Sequence, residues 1–210
     1  CIIAVSAQDQ KGLYISRRGA ETGAFEFAGL AQEDVRILTF QPVAVNLYLW
    51  AGLSTFGIRE GDGCCRLNVL QDWSDGAKWE KFKEGWSGGS CYGLACVGTR
   101  IFAATHHAGV LELSTSSHDK RWQHPGISCG LSMRDVSRFN PIYAVAASMA
   151  QDGSLLMMAS SSDGVYKRDS DNMEYTYQSQ CQFRDRMTLP PTWLFCPGEH
   201  QIEVLKENEI

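Results

Sequence analysis

At 210 residues, 44% hydrophobic and 20% charged, the chain has the composition of a globular protein and not of a disordered or membrane-embedded one. A formal charge of −5 argues against a broad phosphate-binding surface, so nucleic acid is not an expected partner. No apolar run approaches the roughly 18 residues that a membrane-spanning helix needs, and 20 glycines against 6 prolines suit short strands joined by tight turns.

The chain opens with Cys1 in a strand-like run, Cys1-Ile2-Ile3-Ala4-Val5, without a basic and apolar leader, so either a start was removed by processing or, the favoured expectation, these residues are one piece of a longer polypeptide. Gly12-Leu13 then starts a second run, and Phe25-Glu26-Phe27 a third. Residues 35–40 alternate and stop at Gln41-Pro42, whereas residues 47–53 are apolar on both faces and so belong in the middle of a sheet. Gly57 closes a short hairpin after them, and Trp79-Glu80-Lys81-Phe82 alternates aromatic with charged as an outer strand does. The same plan recurs at 93–97, 101–105, 109–113 and 121–124, and again at 136–139 continuing through 143–147, then 155–159, 164–167 and 175–177. Residues 193–196 and 202–205 look like the first two strands of a further copy. No segment of useful length carries a 3.6-residue period, so the chain is expected to be all-β.

One phrase repeats through these runs: an apolar strand, a small residue, a short loop, then glycine and an apolar residue. Its glycines are Gly12, Gly57, Gly109 and Gly164, spaced by 45, 52 and 55 residues, and Ala7, Gly52, Ala104 and Ala159 stand five before them. That period belongs to solenoids and propellers. Small residues where inner strands crowd together fit a β-propeller of four-stranded blades, whereas a sandwich would not repeat one phrase four times. Residues 1–210 are therefore expected to form a single propeller region. Its approximate blades are 1–30, 34–86, 93–124 and 135–178, with a partial blade at 192–206, and they either close by themselves or form part of a larger ring.

No catalytic constellation stands out. His106 and His107 sit in the hairpin between the second and third strands of the third copy, where one of them could face a ligand-binding groove or both could face solvent. Adjacent histidines on a strand would point to opposite faces, and no metal or cofactor is expected. Cys91 and Cys96 are too widely spaced for a zinc knuckle, and neighbouring Cys64 and Cys65 would point to opposite faces of a strand. The irregular spacing of the 8 cysteines favours packed thiols and a reducing, cytoplasmic setting, with an extracellular one left open. The longest departure from the repeat, 67–89, gathers Trp73, Trp79, Phe82 and Trp86 among Lys78, Lys81 and Lys83. Loops carry function, so these aromatics are candidates for a partner-binding lip; the alternative is that they pack against strand edges.

The segment Asp72-Trp73-Ser74-Asp75-Gly76-Ala77-Lys78-Trp79 keeps the Gly and Trp spacing of an Asp-box turn with Ser and Asp exchanged. Ser117 to Trp122 and Asp171 to Tyr175 hold weaker echoes of that turn. In these features the chain resembles the BNR or Asp-box propellers (sialidases, sortilin-type receptors, photosystem II assembly factors) and, more loosely, WD-repeat propellers. The resemblance implies the propeller fold. Two functions are then expected in order: a non-enzymatic recognition or scaffold module for a protein partner, within a larger multidomain protein or assembly, and, second, a glycan-binding or sialidase-like glycoside hydrolase. The second would need arginines such as Arg36, Arg59, Arg100, Arg134 and Arg138 to converge on a carboxylate.

Overall fold

A computed structural model describes residues 1–7, 11–21, 23–54, 61–72, 76–169 and 172–179, with the strand backbones at 194–195 and 203–204. Gly57 and Trp73 lie outside the described residues, as does most of the partial blade expected at 192–206.

The described residues form antiparallel meanders and no helix. The first sheet is β1 (Ile3–Ser6), β2 (Leu13–Ser16) and β3 (Phe25–Phe27). The second is β4 (Asp34–Val43), β5 (Asn46–Ser54), β6 (Cys64–Asn68) and β7 (Glu80–Phe82). The third is β8 (Cys91–Val97), β9 (Arg100–Thr105) and β10 (Val110–Ser114). A small hairpin, β11 (Met133–Asp135) with β12 (Arg138–Phe139), follows it. The fourth sheet is β13 (Ile142–Met149), β14 (Leu155–Ser161), β15 (Gly164–Arg168) and β16 (Thr176–Ser179). Two short strands, β17 (Leu194–Phe195) and β18 (Glu203–Val204), pair with each other.

Each neighbouring pair of sheets encloses its own apolar layer. Leu13 and Ile15 of the first sheet meet Leu49 and Leu67 of the second. Trp50 and Phe82 of the second meet Ile101 and Leu111 of the third. Phe102 and Val110 of the third meet Met157 and Tyr166 of the fourth. A middle strand has a covered face on each side, which is why β5 carries the unbroken run Leu49-Trp50-Ala51-Gly52-Leu53 and buries all of it. The first strands lie side by side, with β8 against β4 and β5 on one side and β13 on the other.

That crowding explains the small residues of the repeat. A Cβ placed on Gly52 would stand 2.5 Å from Ile37 of the paired strand β4 and 2.6 Å from the Cys91 thiol of the neighbouring sheet, so the two together leave room for hydrogen alone. Gly12 and Gly109 turn the chain into β2 and β10 at φ of 89° and 74°, a region costly for any residue with a Cβ. Gly164 opens β15.

Two expected strands are corrected. Residues 136–139 do not belong to the inner strand of the fourth copy; they form the return of the β11–β12 hairpin, and β13 alone is the inner strand. The Asp135 carboxylate accepts from the Ser137 amide and hydroxyl, closing a side-chain-capped turn where a continuous strand was expected. Residues 121–124 pair with β10 only through the bridge between Glu112 and Gln123. They are held instead by the second sheet: the Trp122 amide donates to the Glu84 carbonyl at 3.0 Å and its indole to the Phe82 carbonyl at 3.0 Å.

Candidate functional site

The described aromatics of 67–89, Trp79, Phe82 and Trp86, go into packing. Trp79 is half-buried, and its indole donates to the Ala28 carbonyl at 2.6 Å, tying the second sheet to the first. Phe82 is 3% exposed, with its ring 4.8 Å from that of Trp50. Trp86 is 6% exposed; its indole donates to the Gly89 carbonyl, and its ring meets Trp122 edge to face at 5.1 Å. An exposed lip is therefore not made by Phe82 and Trp86. The physical reason is that a meander leaves a wide apolar edge, and rings from the following loop fold back to cover it. The interleaved lysines point outward, Lys81 to Glu33 and Lys83 to Asp62.

Among the described residues, Cys64, Cys65 and Cys91 are likewise taken up by packing. Cys64 and Cys65 enter different apolar clusters, as opposite faces of β6 require, and the Cys64 sulfur lies 3.8 Å from that of Cys91. Burial pushes the Cys64 thiol well up, and brings those of Cys65 and Cys96 up to about 12. At neutral pH such thiols are protonated and weakly nucleophilic.

His106 and His107 occupy a different environment. They lie on the turn after β9, not on a strand, so their rings do not diverge: they meet edge to face at 5.6 Å. Backbone bonds clamp this turn. The His106 amide donates to the Ser90 carbonyl, the His107 amide to the Gly88 carbonyl, and the His107 carbonyl accepts from the Phe139 amide at 2.9 Å.

Beside the turn, three side chains from three successive sheets form one stack. The Arg36 guanidinium sits 4.5 Å from the centroid of the Tyr92 ring. Tyr92 lies 5.6 Å from Tyr143 with only 13° between the ring planes, and its edge meets His106 at 5.9 Å. Each of the three occupies the same structural position. In β4 the pairing register shifts between Val35 and Ile37, in β8 between Cys91 and Gly93, and in β13 between Ile142 and Ala144. Arg36, Tyr92 and Tyr143 are thus the extra residues of three equivalent β-bulges near the starts of the first strands. A bulge re-aims a side chain out of the in-out alternation, and here three re-aimed side chains meet.

The surroundings are cationic. Burial lowers the His106 pKa, and Arg134, Arg138 and Arg36 lower it further, so the ring is neutral at pH 7 and offers both a donor and an acceptor. Burial and the neighbouring Tyr92 raise the Tyr143 pKa, opposed by Arg134, so its hydroxyl keeps its proton. Arg138 is tied to Asp135 at 2.6 Å. The arrangement can therefore engage a planar or apolar group on the tyrosines and an anion at the guanidinium groups. Sequence reasoning found His106 and His107 and named Arg36 and Arg134, but missed Tyr92 and Tyr143. The available signal was positional: a long side chain stands second in the triplets Val35-Arg36-Ile37, Cys91-Tyr92-Gly93 and Ile142-Tyr143-Ala144.

No family model matches the chain, and no curated protein sequence matches it. Among solved structures, similar ones include the crystal structures of BBS1N in complex with ARL6DN, one soaked with mercury and one with lead. Each aligns with a TM-score of 0.52 at 10% sequence identity, covering 95% of this chain and 58% of the solved chain. The chain thus spans less than two thirds of that neighbour's length. At such identity the likeness speaks to fold alone, and BBS1N is a β-propeller domain. Together with the stacked antiparallel meanders, it gives this chain an all-β, β-propeller-like fold.

Proposed function

We propose that this chain is a non-enzymatic recognition or scaffold module that docks a protein partner, within a larger multidomain protein or assembly. The observation that carries the reading is the Arg36–Tyr92–Tyr143 stack with its histidine turn. Tyrosine and arginine are the residue types over-represented where protein interfaces concentrate their energy, and these are held on strands, which keeps the entropic cost of binding low. The neighbour BBS1N, crystallised with ARL6DN, supports a protein-docking use of the fold.

The test is affinity capture from the source extract, comparing the chain with its Arg36→Glu, Tyr143→Ala variant. A protein recovered near one-to-one stoichiometry and lost with the variant is the expected result. Equal recovery by both proteins removes the reading. The intact mass of the native polypeptide, measured on the same preparation, is expected to exceed that of these 210 residues.

A second reading is favoured by one specific feature, the arginines that surround His106. Such a set also suits the carboxylate of an acidic sugar, as in a glycan-binding or sialidase-like propeller. Turnover of chromogenic glycosides by the purified chain would establish that reading and displace the first.

A further inference from the structure

We infer that the three bulges build a docking platform for an acidic peptide segment of the partner, an inference that rests on the protein-docking reading above. The platform is assembled from parts far apart in the chain: Arg36 from β4, Tyr92 from β8, Tyr143 from β13, His106 from the turn after β9, and Arg134 from β11. Backbone pairing fixes the strands that carry Arg36, Tyr92, Tyr143 and Arg134, and backbone hydrogen bonds to Ser90, Gly88 and Phe139 hold the histidine turn.

Charge decides the class of occupant. The chain as a whole is acidic at −5, yet this end presents Arg36 and Arg134, both exposed. Among the described residues no carboxylate comes within ion-pair range of either, whereas Arg66, Arg100 and Arg168 each have one. The nearby Asp135 already engages Arg138. Two guanidinium groups without a carboxylate, set beside a tyrosine stack, complement glutamate or aspartate side chains whose methylene or aromatic neighbours lie on the rings. A neutral His106 adds a hydrogen-bond donor or acceptor for the peptide backbone without adding charge. A basic peptide would meet like charge, and an uncharged one would leave the guanidinium groups without a counter-ion.

Fluorescence anisotropy with a fluorescein-labelled oligoglutamate peptide tests this directly, with oligolysine and sialyllactose as comparison ligands. Oligoglutamate is expected to bind and oligolysine not to. Arg36→Ala and Arg134→Ala are each expected to weaken oligoglutamate binding about tenfold, the scale of one lost charge-assisted hydrogen bond. Both side chains are exposed, so the melting temperature should stay put. Lys78→Ala, an exposed cation elsewhere, should leave binding unchanged. Failure of oligoglutamate to bind, or binding by either arginine variant that matches wild type, overturns the inference. Sialyllactose binding that both arginine variants abolish would also overturn it, in favour of an acidic sugar. If oligoglutamate fails while captured protein is still lost with the Arg36→Glu, Tyr143→Ala variant, the protein-docking reading stands and only the acidic-peptide assignment falls.

Discussion

Replacing Glu112 with alanine is expected to lower stability by about 3–5 kcal/mol, the scale of leaving a buried charge without its partner. Glu112 on β10 holds two arginines at once: Arg100 of β9 at 2.7 Å and Arg168 of β15, in the neighbouring sheet, at 3.2 Å. The Arg168 side chain is only 1% exposed, its guanidinium packed 5.9 Å from the centroid of the Phe102 ring and also hydrogen-bonded with Tyr175. Removing the carboxylate strands a desolvated cation between two sheets, whereas Arg100 can turn to water. Glu112→Gln keeps the shape but not the charge and should fall between wild type and alanine. Arg168→Met should cost less than Glu112→Ala, because it removes the buried charge and fills the same space with methylenes. Urea denaturation of the four proteins checks the order. A loss below about 1 kcal/mol for Glu112→Ala would mean that water reaches Arg168 and that the ion pair is incidental to sheet packing.

The second large effect is expected at Trp122. Its side chain is 1% exposed, its indole donates to the Phe82 carbonyl, and its ring lies edge to face on Trp86. Trp122→Ala should cost about 3–5 kcal/mol from the cavity and the lost transfer energy together. Trp122→Phe keeps most of the apolar contact and leaves the Phe82 carbonyl without this donor, for about 1–3 kcal/mol. The two values separate packing from hydrogen bonding, and denaturation midpoints measure both. If the phenylalanine variant matches wild type while the alanine variant loses the full amount, the residue acts through volume alone. If both match wild type, the segment 121–124 is not anchored to the second sheet.

The repeat phrase made the middle strands legible. Residues 47–53 and 101–105 read as buried because apolar residues on both faces have no other use, and β5 and β9 lie there. Gly52 was legible for the same reason, a small residue where two sheets crowd. Outer segments were harder. Residues 121–124 alternate like a strand, yet Trp122 finds better partners across the sheet boundary than along it. Around residue 136 the alternation hid a turn, because Asp135 and Ser137 can replace strand bonds with local ones. Trp86 could not be assigned to lip or core from sequence, since an indole suits either, and the deciding contact is with Trp122. The stack of Arg36, Tyr92 and Tyr143 was hidden more deeply. A bulge inserts one residue and breaks the two-residue period from which strand faces are read, and no local signal reports that three such breaks come together in space.

The proposed function assigns recognition to these three bulges and the histidine turn. Amide hydrogen exchange of the chain, free and saturated with the partner recovered by capture, tests it most directly. New protection is expected at 35–37, 91–93, 106–107 and 142–144, four segments distant in sequence and joined at one end of the first strands. Protection confined to the outer strands β7 and β16, with exchange at the bulges unchanged, would contradict it.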